Sequence, residues 1–249
     1  MTLFDSSLQD ELEQIAKEQG ADLFGIADLA TAQNFVCNQG GEYLKKFPRA
    51  ISIGIRLLDA VVDELHKHED RAVIFTYKGL YNSVNSRLDH IALLLARRIQ
   101  QANYQAYPIP ASQSIDPNRL VGVISHKLAA NLAGLGWIGK SCLVITHNYG
   151  PRVRFSTILT DAPFKTGSPM NEKCKDCKAC TRICPVEAFT GASFNPSEPR
   201  ETRFNAHLCD AYMKKRREAL GEDLCGLCVY VCPHGRRKTR NRLNLHQKV

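Results

Sequence analysis

The apolar positions recur first at helical spacing. Leu8, Leu12 and Ile15 share one face of a segment that Ser7 can cap, with Asp10 near the capping-box position and Gly20 as its stop. Asp22 to Leu29 then reads as a short strand. Ala50 to Leu57 (AISIGIRL), apolar and β-branched, reads as a buried one. Asp59 to His66 continues as helix. A longer helix follows, with Val84, Leu88, Ile91, Leu95 and Ile99 in one stripe and the Asn103–Tyr104 region as its end.

Beyond that helix the pattern shortens. Tyr107 to Ala111 carries two prolines and reads as an edge segment or loop. Ser125 to Ala133 (SHKLAANLA) is rich in Ala and Leu without a β-branched residue, which favours helix. The glycines of GLGWIGKS, Gly134 to Ser141, end it. Leu143 to Thr146 and Val153 to Thr160 predict two strands of a hairpin that turns at Asn148-Tyr149-Gly150-Pro151. Residues 1–168 are thus mixed α and β without an internal repeat. The loop Pro163 to Asn171 (PFKTGSPMN) is a natural boundary to a second domain over residues 169–249.

Composition narrows the class. The chain has 249 residues, 44% apolar and 23% charged, which suits one large domain or a main domain with an appendage. No stretch approaches the roughly 18 apolar residues of a membrane span, so no membrane is expected as partner. Met1 to Gly20 is acidic and amphipathic, without the basic and apolar regions of a secretory signal, which places the chain in the cytoplasm. Ten cysteines need a reason there, because disulfides rarely persist in that compartment.

Their spacing supplies one. Cys37 and Cys142 stand alone and suit buried small apolar positions. The other eight fall between Cys174 and Cys232. Cys174, Cys177, Cys180 and Cys184 with Pro185 form C-x2-C-x2-C-x3-C-P, the bacterial ferredoxin run. Three close thiolates can reach three irons of one cubane, while Cys184 opens a helix pointing away and serves the other. Cys209, then Cys225, Cys228 and Cys232 with Pro233, make the second set. Crossed ligation assigns Cys174, Cys177, Cys180 and Cys232 to one [4Fe–4S] cluster, and Cys184, Cys209, Cys225 and Cys228 to the other. Zinc also suits CxxC pairs, but the doubled run ending in C-P favours iron–sulfur.

Charge divides at the same place, with a net of +1 over residues 1–168 and +7 over residues 169–249. Two clusters of about −2 each would offset part of the second figure. The rest is local: Lys214-Lys215-Arg216-Arg217 and the basic tail from Arg236 to Arg242, either a solvated face and frayed end or a surface for RNA or an acidic partner. GLGWIGKS also satisfies G-x-x-x-x-G-K-S and, over six residues, G-x-G-x-x-G. Both phosphate motifs need a strand before and a helix after, and the order here is reversed, so no ATP is expected. The loop is then either a glycine helix stop with Trp137 as core or the pocket of a different cofactor.

LFGIADL (Leu23 to Leu29), AGLGWIGKSCLVIT (Ala133 to Thr146), Thr160–Asp161 and the eight cysteines with Cys209 occur in one order. In this the chain resembles the epoxyqueuosine reductase family, whose members join a corrinoid-binding domain to a two-cubane ferredoxin domain. The resemblance implies an α+β protein whose first domain is nitroreductase-like and shared with reductive dehalogenases. It implies cobalamin bound base-off beside Gly136, Trp137, Lys140, Val144, Arg154 and Phe155, with Lys140 and Arg154 donating to a corrin amide or the tail phosphate. D-x-H-x-x-G is absent and Asp89-His90 is out of register, so no protein histidine is expected below the cobalt. The family's catalytic D-x-x-P register reads Leu120-Val121-Gly122-Val123 here, and the nearest acid is Asp116. His126 is the other catalytic candidate, though a helix-surface role suits it better. The helical-repeat domain of longer members does not follow Pro233. The expected function is an iron–sulfur oxidoreductase passing electrons from a low-potential donor, ferredoxin or flavodoxin in type, through two [4Fe–4S] clusters to a corrinoid. Alternatives are epoxyqueuosine reduction on tRNA, and an electron carrier without its own substrate, which could serve a corrinoid protein.

Overall fold

The computed structural model describes residues 4–236. In chain order its main elements are α1 (Ser6–Glu18), β1 (Leu23–Asp28), α2 (Gln33–Gly40), β2 (Arg49–Arg56), α3 (Asp59–Asp63), α4 (Arg71–Gln101), β3 (Ala106–Ile109) and α5 (His126–Leu132). β4 (Gly136–Ile138), β5 (Val144–Thr146), β6 (Val153–Thr160), α6 (Ala179–Ile183), α7 (Ala206–Leu220) and α8 (Leu227–Val231) complete them. Two compact units emerge. The first takes residues 1–56, 83–136 and 154–170, and the second residues 57–82, 137–153 and 171–249. The division expected at 168/169 therefore meets only the last of several crossings.

The first unit is built on a four-stranded sheet of order β1-β2-β6-β3. β1 and β2 are antiparallel, with Leu23 opposite Gly54 and Asp28 opposite Arg49, and β3 runs antiparallel to β6. α5 packs on β1 and β2 over a core of Leu29, Val36, Phe47, Ile124 and Leu159. That packing is close at Gly25, where a Cβ would stand 2.8 Å from the Leu135 side chain. The Val84–Ile99 stripe is buried as its spacing requires. Asp5, not Ser7, caps α1, its carboxylate accepting from the Leu8 amide at 3.1 Å.

Two elements differ from expectation. α4 begins at Arg71, thirteen residues before the Val84 stripe, because Asp70 accepts from the Ala72 amide and Ile74 and Tyr77 extend the buried face. Exposed Gly79 and the aromatic residues around it mask this in the sequence. The expected β5–β6 hairpin does not form. Thr146 and Gly150 exchange backbone hydrogen bonds in a closed turn, Pro151 has no N–H to continue a ladder, and β5 pairs with β4 instead. β6, almost wholly buried, becomes an inner strand of the larger sheet.

The second unit gathers the cysteine-rich segment around short helices. About eighty residues with eight cysteines hold little apolar mass, and Leu65, Tyr77, Trp137 and Ile145 supply walls from earlier in the chain. GLGWIGKS contains β4 and then a tight connection to β5. The Cys142 amide donates to Gly139 O and the Gly139 amide to Leu143 O, with Cys142 left-handed at φ 53°. This is a three-residue hairpin loop, Lys140 to Cys142.

Candidate cluster sites

The ferredoxin run folds as a turn and a one-turn helix. The Cys177 amide donates to Cys174 O at 3.0 Å, and α6 carries Cys180. Cys184 does not open a helix: it closes α6 at φ −69°, ψ 116°, and Pro185 prevents continuation. The second run repeats the design, since α8 carries Cys228 and closes on Cys232 at φ −62°, ψ 122°, before Pro233. Each short helix therefore offers one thiol within it and one just beyond it.

Cys174, Cys177, Cys180 and Cys232 line one pocket, walled by Lys140, Ser141, Ile145, Ala179, Pro233 and His234. The hairpin loop before β5 thus forms one side of it. Gly139 allows this approach, since a Cβ there would lie 3.2 Å from Cys174 Sγ. Lys140 Nζ donates to Lys175 O at 2.5 Å, tying loop to turn. Burial pushes the Cys174 thiol up, while the Lys140 amide and the Trp137 indole pull it back. Burial and the neighbouring thiols raise Cys180 to about 11, and Cys232, despite the His234 amide, also to about 11.

The second quartet is Cys184, Cys209, Cys225 and Cys228. Burial and the charges of Cys225 and Cys184 push Cys209 to about 11. Burial followed by Cys225, Cys209 and Cys184 raises Cys228 as well. The Ala188 amide donates to Cys184 Sγ at 3.3 Å. Among the described residues no three His, Cys, Asp or Glu side chains are close enough to chelate one ion. Four thiols around a cubane stand further apart than that, each on a different iron. Two all-thiol quartets suit cationic, sulfide-bridged iron, which deprotonates its thiol ligands on binding.

The remaining candidates fall into different surroundings. In the second unit Trp137 and Val144 are buried, and the Trp137 ring meets His234 edge-on at 4.9 Å. In the first unit Phe155 is buried, Gly136 starts β4, and Arg154 Nε donates to Asn85 Oδ1 at 3.1 Å. Asp116 accepts from the Asn118 and Arg119 amides at 2.8 and 2.9 Å, so one of its oxygens serves its own turn. His126 is not a free helix-surface residue: its Nε2 lies 3.0 Å from Pro110 O and its Nδ1 2.8 Å from Thr157 Oγ1. The carbonyl can only accept, so Nε2 carries the proton and the Thr157 hydroxyl donates to Nδ1. Desolvation, aided by Arg154 and opposed by Pro110, lowers its pKa to about 4. Cys37 and Cys142 are buried, as expected. Arg216, in the KKRR run read as either a solvated face or a surface for RNA or an acidic partner, is 5% exposed. Its place four residues after Tyr212 on α7 is the signal that run composition hides. The tail from residue 237 lies outside the described residues.

A 4Fe-4S double cluster binding domain matches residues 173–235, which hold all eight cysteines. An epoxyqueuosine reductase of Listeria monocytogenes is 32% identical over 125 residues, 46% of this chain and 31% of its own length. An epoxyqueuosine reductase solved with an epoxyqueuosine-modified tRNA-Tyr stem loop superimposes with a TM-score of 0.61 at 18% identity, covering 94% of this chain and 66% of that one. Over part of its length this chain is similar to epoxyqueuosine reductases. The same fold occurs in a reductive dehalogenase whose structure suggests a mechanism for B12-dependent dehalogenation, with a TM-score of 0.65 at 18% identity over 96% of this chain and 34% of that one. The chain spans about a third of the curated relatives' length where it matches them.

Proposed function

We propose that this chain is an iron–sulfur oxidoreductase of the epoxyqueuosine reductase type, acting on epoxyqueuosine in tRNA. The observation that carries the reading is the pair of thiol quartets, the first walled by the Lys140–Ser141 loop. Cys174, Cys177, Cys180 and Cys232 would hold one [4Fe–4S] cluster, and Cys184, Cys209, Cys225 and Cys228 the other. Bound there, the clusters would supply one-electron steps, and a cobalamin at the GLGWIGK segment would supply two-electron chemistry. Ile145, Ala179 and Pro233 give the first quartet an apolar lining, and the Lys140 amide offsets part of the burial that pushes the Cys174 thiol up. A ferredoxin- or flavodoxin-type protein is the electron donor, and ten free cysteines call for a reducing compartment, the cytoplasm. The tRNA substrate is supported by the relative that binds such a stem loop, and the corrinoid by the dehalogenase neighbour.

A second reading, an electron carrier without its own substrate, is favoured by one observation: no acid stands in the Leu120–Val123 register, and Asp116 is engaged in its own turn. Anaerobic protein, reduced donor, cobalamin and an epoxyqueuosine-bearing stem loop separate the two. The proposed reaction gives queuosine in the RNA and a Co(II)alamin paramagnetic resonance spectrum changed from the free base-on form. Clusters that cycle while RNA and cobalamin spectrum stay unchanged would leave the carrier.

A further inference from the structure

Among the described residues three charged side chains are buried, Arg152, Arg203 and Arg216, all in the second unit. Arg152 holds Asp59 at 3.1 Å and Asp63 at 2.6 Å. Arg203 lies 3.7 Å from Glu198 and over the Phe194 ring. Among the described residues Arg216 has no carboxylate within salt-bridge distance. Its Nε donates to Leu224 O at 2.8 Å, Nη1 to the Tyr212 hydroxyl at 3.4 Å, and Nη2 to His68 O. Glu222 and Asp223 are near in sequence but taken, because Lys78 reaches them at 3.6 and 2.8 Å and Arg217 closes on Asp223. Two cations and two carboxylates cancel there, and the Arg216 charge is left over.

A buried cation without an anion is costly, and neutral acceptors satisfy its N–H groups without cancelling its charge. The Leu224 carbonyl that Arg216 grips belongs to the peptide leading into Cys225, so the guanidinium stands beside the second quartet. We propose that Arg216 is the counter-charge of the cluster held by Cys184, Cys209, Cys225 and Cys228, and raises that cluster's reduction potential. Reduction takes such a cluster from about −2 to about −3, so a fixed positive charge nearby stabilises the reduced form more than the oxidised one. The first quartet has a cation in its wall too, Lys140, but that side chain is only half-buried, and its ammonium donates to Lys175 O. Arg152 comes near its Gly235 side, where a Cβ would lie 3.0 Å from Arg152 Nε, but two carboxylates already balance that charge.

This rests on the two-cluster reading, and the test separates the two. Anaerobic protein is first assayed for iron and sulfide. Its clusters are then titrated by paramagnetic resonance in the parent, Arg216→Gln and Arg216→Lys. With about eight irons and eight sulfides per chain, Arg216→Gln should move one wave to lower potential, the reduction equilibrium falling about tenfold, or about 59 mV for one electron. The other wave stays, and Arg216→Lys keeps most of the parent value. Two waves that stand still, or move together, would overturn the role of Arg216 while leaving the clusters in place. Zinc, or one cubane, in the parent would instead overturn the two-cluster reading. If Arg216→Gln loses its second cluster, Arg216→Lys decides: retention near the parent potential supports the charge role, and loss refutes it.

Discussion

The first unit hides apolar side chains and no charge among its described residues; the second hides three guanidinium groups. Leu12, Ile51 and Leu88 are fully buried in the first, and removing such surface from water is its own stabilisation. In the second, Arg152, Arg203 and Arg216 are each answered by an anion, an aromatic face or carbonyls, and eight thiols lie among them. One interior is held by area alone, and the other, with buried Leu65, Ile74, Trp137 and Leu227, by area and charge matching together. Such a pair should respond to different perturbations.

The largest effect expected is on the thiols. Cys184→Ala should remove the cluster shared with Cys209, Cys225 and Cys228 while the Cys174 cluster survives. Iron content near half the parent, with one reduction wave left, is the expected reading. Loss confined to the Cys174 cluster would mean that ligation is sequential rather than crossed.

Next comes the paired arginine. Asp59→Asn with Asp63→Asn leaves Arg152 buried without an anion, which costs about 3–5 kcal/mol. The denaturant midpoint should fall accordingly in anaerobic protein, and the loss should shrink when Arg152 is also changed to Met. An unshifted midpoint would mean that solvent already screens this pair.

The first unit should answer to acid through one histidine. His126 ionises near 6.5 when unfolded but only at about 4 when folded. Between those values the unfolded chain binds a proton that the folded chain refuses, so stability falls as pH drops from 6.5 toward 4. The full loss is about 3 kcal/mol at 1.36 kcal/mol per pKa unit. Urea midpoints measured from pH 7 to 4 should show this slope, flattened in His126→Gln. A slope unchanged by that substitution would assign the acid sensitivity elsewhere.

The two interiors also differed in how far they could be read from sequence. Periodicity found the Val84–Ile99 stripe and the β2 strand, because burial of area leaves a repeating mark. Spacing marks the double-cluster segment that holds the eight cysteines, because cluster geometry fixes how many residues separate thiols. Neither signal marks a hairpin that exchanges partners, so β5 was assigned to β6 although Pro151 already stood between them. Nor does either mark Arg216, where composition suggested an exposed face and the helix turned that one residue of four inward. His126 shows the same limit, since its partners Pro110 and Thr157 are distant in sequence and meet only in the fold.

The Lys140–Cys142 loop has a consequence for modularity. Gly139 before it comes close to Cys174, its lysine holds Lys175, and Gly150 packs on Gly235, so the cysteine-rich segment is completed by chain that lies outside it in sequence. Residues 173–235 moved alone into another protein would carry every ligand and leave one wall behind. Recombination that preserves this redox unit must carry the segment from Trp137 to Val153 with it, so the heritable part is discontinuous in sequence.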